Sequence, residues 1–317
     1  MNLTASVDQG TNTVRLLVVD ASARPHKTLR LESKIVRLGG GFVKEGKLTE
    51  EAMSRALSAL REYGAILREL KCTQITAVGT GVLRQAPNTP EFLERVRRET
   101  GISIQIIPGE REAELSVKGA LWALGVKPDF SERYVVCDVG GGSTEFALWE
   151  KGKIPARVSI PVGVVSLTET FLLSDPPTAD QVEDVRQKLR QAFSDLGAVP
   201  AAAARGAFTL VGCSGTFTTL ASLQQNLSEY DPAKITGYRL RASHLEGLLA
   251  RALPVRAQDR LALWRVLPKG REDVIVAGMI LTREILRRWD REEALITDGS
   301  LLEGVLLDLL ERLEGRS

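Results

Sequence analysis

With 317 residues, 44% apolar and 26% charged, the chain has the size and composition of a soluble globular protein large enough for two domains with separate cores. A formal net charge of +2 gives no global basic field to recruit nucleic acid, so an anionic ligand would have to be met by local groups. No run of about 18 apolar residues could span a membrane, and the N-terminus enters a strand without a charged leader, so neither a membrane partner nor a signal peptide is expected and the cytoplasm is the default location. Cys72, Cys137 and Cys213 show no CxxC spacing, and with His26 and His244 the only histidines a zinc site is not expected.

Taken along the chain, residues 3–8, 14–20 and 28–38 read as strands. A helix follows at 50–70, with Met53, Leu57, Leu60 and Leu67 at helical spacing. Thr73–Val78 is a strand, 91–100 a helix, and Ile102–Ile107 an alternating strand. Pro108-Gly109 breaks the chain before a helix at 110–124, striped by Ala113, Val117, Ala120, Leu121 and Leu124. Gly125–Arg133, with Pro128, reads as a linker between halves. Strands are expected again at 134–138, 144–149, 153–160, 207–211 and 293–296, and helices at 163–172, 178–195, 215–225, 242–252, 272–289 and 301–314. The last helix is expected to pack back on the first half, giving domains 1–124 (completed by 300–317) and 125–299.

Two segments of this pattern are near copies. Asp8-Gln9-Gly10-Thr11-Asn12-Thr13 and Asp138-Val139-Gly140-Gly141-Gly142-Ser143-Thr144 each join an apolar strand ending in Asp to a second apolar strand through a small, hydroxyl-bearing turn. Duplicated near the start of each half, they suggest two phosphate-gripping hairpins facing each other across a cleft. Gly-rich turns let backbone N–H groups converge on a phosphate oxygen. A third such turn, Gly212-Cys213-Ser214-Gly215-Thr216, leads into a helix whose N-terminus favours an anion. The candidate phosphate contacts are therefore Thr11, Asn12, Thr13, Gly140, Gly141, Gly142, Ser143, Gly212, Ser214, Gly215 and Thr216. As single tight turns, none would be specific.

A carboxylate beside a phosphate cradle repels it unless a hard cation lies between them, so Asp8 and Asp138 are candidate ligands of Mg²⁺ (or Mn²⁺); otherwise each is a turn cap. Glu145 could assist through a water or be a solvated strand residue. Arg15, on an otherwise apolar strand, must reach a cleft or the surface. The helix start at 110 carries Glu110, Glu112 and Glu114, and residue chemistry alone does not choose between these acids, which also suit a helix N-terminus. Arg95, Arg97 and Arg98 offer either a guide for a long polyanion or a solvated helix face.

These segments resemble the exopolyphosphatase / guanosine pentaphosphate phosphohydrolase family. The matching stretches are Asp8–Leu17, Gly79–Asn88, Gly109–Ala113, Asp138–Glu145, Pro161–Thr168, Gly212–Thr216 and Asp298–Gly304, spread over nearly the whole chain. The resemblance implies an α/β fold of duplicated actin-like (ribonuclease H-like) domains of the sugar-kinase and Hsp70 superfamily, flanking an interdomain cleft. It implies Glu112 as catalytic base, Asp8, Asp138 and Glu145 at the metal and phosphate site, and Arg84 and Arg15 facing the phosphate chain, where guanidinium suits phosphate. Arg111 and Leu302 depart from the family pattern, which often has Glu and Arg there, and the length matches the short, two-domain form.

The expected activity is Mg²⁺-dependent release of terminal orthophosphate from inorganic polyphosphate. The alternatives are a guanosine pentaphosphate phosphohydrolase, a small-molecule kinase of the same superfamily, and a non-catalytic alarmone or polyphosphate sensor. A homodimer is the default assembly.

Overall fold

The computed structural model describes residues 2–23, 26–127 and 132–315. The first strand, β1 (Leu3–Gln9), is buried almost throughout, polar residues included, because it lies inside the sheet with a strand on each edge. It pairs antiparallel with β2 (Thr13–Asp20), which pairs antiparallel with β3 (Lys27–Ile35). On its other edge β1 pairs parallel with β4 (Gln74–Gly79), and β4 with β5 (Ile104–Ile106), giving the order β3-β2-β1-β4-β5. The second sheet repeats this plan. Here β6 (Arg133–Val139), β7 (Thr144–Glu150) and β8 (Lys153–Ile160) form the antiparallel meander, and β9 (Thr209–Cys213) lies parallel to β6. Two further strands, β10 (Arg239–Arg241) and β11 (Glu293–Ile296), complete the order β10-β11-β9-β6-β7-β8.

The helices of eight or more residues among those described are α1 (Glu50–Glu69), α2 (Thr89–Thr100), α3 (Gly109–Ala123), α4 (Val164–Phe171), α5 (Ala179–Ala192), α6 (Ser214–Gln224), α7 (Ala242–Ala252), α8 (Ile275–Arg288) and α9 (Leu301–Leu313). Most lie within a turn of the predicted bounds. Strand β3 is shorter than predicted, because the chain turns through Arg37 and Gly41 at positive φ, and β10 was not predicted at all. The predicted linker 125–133 falls partly on residues 128–131, outside the described residues.

Two helices cross between the sheets. In α3, counted with the first half by sequence, Ala113, Val117, Ala120 and Leu121 pack on Tyr134, Val136, Ala147 and Val211 of the second sheet. In α9, Leu302, Leu306 and Leu310 pack on Leu17, Val19 and Ala21 of the first. The crossing helices meet backbone to backbone. A Cβ on Gly119 would lie 1.9 Å from the Ser300 carbonyl oxygen, and one on Gly304 would lie 1.9 Å from that of Leu115. Only glycine permits this approach. No described helix is long and apolar enough to cross a membrane.

Candidate active site

The two hairpins share one register. Asp8 stands opposite Arg15 across β1–β2, and Asp138 opposite Glu145 across β6–β7. Each turn closes with one backbone bond, Gly10 N–H to the Thr13 carbonyl at 2.9 Å and Gly140 N–H to the Ser143 carbonyl at 3.0 Å. The turns meet face to face, since a Cβ on Gly142 would lie 2.7 Å from Thr11 Oγ1. Thr11 Oγ1 also accepts the Val82 N–H at 2.9 Å, which ties the first turn to the short 3₁₀ turn Gly81–Arg84 and so positions Arg84.

A cavity of about 350 Å³ lies between the hairpins, a volume suited to a small ligand. Asp8, Thr11, Asn12, Thr13, Arg15, Glu112, Asp138, Gly140, Gly141, Gly142, Ser143, Ser214, Gly215 and Thr216 all line it. Gly212, Arg84 and Glu145 do not. Gly212 lies against the Phe217 ring, where a Cβ would come within 2.4 Å, so its small size serves packing. Ser214 and Thr216 donate their hydroxyls to the Val139 carbonyl at 3.0 and 3.1 Å, which docks the start of α6 against the second hairpin.

Arg84 lies behind the cavity wall. Its guanidinium pairs with Glu112 Oε2, donates to Ser143 Oγ at 3.2 Å and lies 3.7 Å from Glu145 Oε1. Glu145 is 1% exposed; its Oε1 accepts from Ser159 Oγ at 2.7 Å, and its Oε2 is buried without a partner. Burial raises the Glu145 carboxyl well above the usual range, and the nearby charges of Glu112 and Asp138 push the same way. Burial likewise raises Glu112 to about 7, against the opposing pull of Arg84. Glu112 thus has the proton affinity of a base poised near neutrality.

Asp8 Oδ2 accepts from Arg15 Nε and Nη2 at 3.1 and 2.8 Å, and Arg15 Nη1 donates to Ser300 Oγ at 2.9 Å. Burial raises the Asp8 carboxyl despite Arg15. Asp138 Oδ2 accepts from Ser116 Oγ at 2.7 Å. Among the described residues no three His, Cys, Asp or Glu side chains are placed to hold one metal ion together, so Glu145 is not placed with the two aspartates as a third ligand. Two carboxylates facing a phosphate cradle, with Asp8 Oδ1 buried and unpartnered, still fit an ion that keeps most of its shell as water and phosphate.

Several cavity residues were not anticipated. Arg271 enters from the turn before α8 and donates to the Gly215 carbonyl and Thr219 Oγ1, and among the described residues it has no carboxylate ion pair. Burial lowers it to about 10, and the nearby Arg15 charge adds to that fall. Tyr230, Asp298 and Glu303 also line the cavity. Nothing local announces Arg271 in the sequence, because the fold alone brings it there. Ser116 had a signal, the polar position four residues after Glu112 in an apolar stripe. The Arg95, Arg97 and Arg98 charges are taken up by Glu50, Glu94 and Glu99. Arg111 pairs with Asp308 and so ties α3 to α9, while Leu302 is fully buried on the first sheet.

Residues 17–313 match the Ppx/GppA phosphatase family. Exopolyphosphatase 2 of Mycobacterium tuberculosis is 35% identical over 320 aligned residues, covering 96% of this chain and 98% of that protein. A crystal structure of an exopolyphosphatase from Cytophaga hutchinsonii is 30% identical, with a TM-score of 0.85 and 98% of each chain covered. The Aquifex aeolicus Ppx/GppA family member, also 30% identical, gives a TM-score of 0.79 with 99% of each chain covered. At this likeness the fold is the two-sheet α/β fold of the Ppx/GppA structures, and the class is an enzyme that hydrolyses phosphoanhydrides. The chain belongs to the Ppx/GppA phosphatase family.

Proposed function

We propose that the chain is an exopolyphosphatase, releasing terminal orthophosphate from inorganic polyphosphate by in-line attack of water, with Glu112 as general base. The observation that carries this reading is Glu112 itself, buried on the cavity wall between the two hairpins with its proton affinity raised to about 7. Water adds to the terminal phosphorus as Glu112 takes its proton, and the bridging P–O bond breaks with the electron pair leaving on the shortened chain. The turns at 10–13 and 140–143 and the start of α6 present backbone N–H groups to the phosphate oxygens, and Arg271 offsets their charge. Arg84 holds Glu112 in place and neutralises charge behind it. Glu145 and Ser143 hold Arg84 in turn. Asp8 and Asp138 would hold a Mg²⁺ (or Mn²⁺) ion, which when bound supplies charge neutralisation of the transferred phosphoryl oxygens.

A second reading, hydrolysis of guanosine pentaphosphate, is favoured by one observation. Leu31, Ile35, Tyr230 and Pro268 add an apolar, partly aromatic wall to the same cavity, which suits a base more than a bare polyanion. Phosphate release from polyphosphate, guanosine pentaphosphate and ATP, measured side by side with and without Mg²⁺, separates the readings. The proposal expects polyphosphate to be turned over fastest and only with the ion. Preference for guanosine pentaphosphate would favour the second reading, and transfer of phosphate from ATP to a small molecule would overturn both.

A further inference from the structure

The two aspartates occupy equivalent places in the two hairpins but are held in different ways. Asp8 is gripped by a guanidinium through two N–H bonds, so its charge is offset where it stands. Asp138 receives a neutral hydroxyl from Ser116, on a helix rather than on its own hairpin. Ser116 is 1% exposed and shares the buried side of α3 with Glu112, one helical turn before it. Helical Ser and Thr hydroxyls ordinarily bond back to the carbonyl four residues earlier. Thr100, Thr168, Thr219 and Ser222 all do so here, while the Ser116 hydroxyl instead crosses to Asp138, 22 residues away in sequence.

We propose that Ser116 is a positioning residue, fixing the Asp138 carboxylate through Oδ2 while leaving its full charge for a divalent cation, so that Asp138 rather than Asp8 is the main anchor of that cation. The physical basis is the difference between the two donors. A cation approaching Asp8 meets a guanidinium bonded to the same carboxylate, whereas at Asp138 the bonded partner is a neutral hydroxyl and the Arg15 charge acts only from further off. The inference rests on the cation reading made above. It adds that one helix delivers both the base and the hydroxyl that orients the anchor, so their spacing is set by a single turn of α3.

The test is calorimetric titration of Mg²⁺ into metal-free wild type, S116A and S116T, together with melting temperatures with and without Mg²⁺. Alanine is at least as good a helix former as serine, so S116A should fold. The expected result is about a ten-fold weaker Mg²⁺ affinity for S116A, the loss usual for removing an outer partner of a ligand. S116T should regain most of the affinity, and the stabilisation by Mg²⁺ should be smaller in S116A than in wild type. Phosphate release by S116A should recover as Mg²⁺ is raised, because the defect lies in holding the ion. Equal Mg²⁺ affinity in wild type and S116A would overturn the role of Ser116, as would a lower S116A melting temperature by the same amount with and without Mg²⁺. A wild-type protein that neither binds Mg²⁺ nor requires it would overturn the cation reading itself, and this inference with it.

Discussion

Glu112 owes its character to three influences of different kinds. Its carboxyl is buried in the cavity wall, which favours the protonated form; the Arg84 guanidinium favours the carboxylate; and the charges of Asp138 and Asp8 oppose ionisation again. Burial wins, and the result near 7 places the acid limb of activity there. Because the base must be unprotonated to accept a proton from water, kcat/KM should rise with pH through about 7 in the free enzyme. Replacing Arg84 by Gln removes the one group that pulls the value down, so the limb should move to higher pH. A pH profile of R84Q with its limb unmoved or shifted to lower pH would contradict the assigned contact. At this scale the sequence was partly legible. A run of three glutamates at a helix start cannot reveal which one faces inward, since all three suit the helix N-terminus; the resemblance to a family separated Glu112 from Glu110 and Glu114. The structure places those two at the surface side, by Arg157 and Arg111. Arg15 illustrates the opposite difficulty. A lone arginine on an apolar strand announces that its charge must go somewhere, but not that Asp8 and Ser300 would take all three of its donating nitrogens.

At the scale of elements, the most legible feature was the repeated hairpin, because strand, Asp, small turn and strand recur with one spacing and the register follows from it. The repeat also carries a difference that spacing alone hides. The residue opposite the aspartate is Arg in the first hairpin and Glu in the second, and the second is met by Arg84 from the 3₁₀ turn after β4, 3.7 Å from Glu145. What escaped was short or set by tertiary contacts. Strand β10 is three residues long and has no period to read. The apolar stripe of α3 was plain, but a stripe does not name the sheet it will cover. Gly119 and Gly304 settle how α3 meets α9, since each faces the other helix's backbone. Gly304→Ala should therefore destabilise the protein even though alanine favours helix, because its methyl would meet the Leu115 carbonyl and force the helices apart. The expected loss is about 2–3 kcal/mol in denaturant unfolding, the upper part of the overpacking range. A variant as stable as wild type would show that the crossing tolerates separation.

For the whole molecule, a net charge of only +2 is consistent with a site that manages charge locally. Four carboxylates, Asp8, Glu112, Asp138 and Glu145, stand around Arg15 and Arg84 on and behind the cavity wall, and Arg271 lines the cavity beyond them. Contacts also join the sheets away from the hairpins. Arg37 donates to the Gly270 carbonyl at 3.1 Å and pairs with Asp273, and Gly41 N–H donates to Glu169 at 2.8 Å. For the lobes we propose the first sheet with α9, and the second sheet with α3, as the two bodies whose approach shapes the cavity. Arg271 shows why the whole was less legible than its parts, since it follows an unremarkable Pro268-Lys269-Gly270 turn and reaches the cavity only through the packing of α8 against α6. The most direct measurement of the central claim is polyphosphate turnover by Glu112→Gln, with polyphosphate binding measured on the same protein. Phosphate release is expected to fall by about 10²-fold or more while binding persists. Turnover near the wild-type rate, or loss of binding together with turnover, would contradict Glu112 as the base.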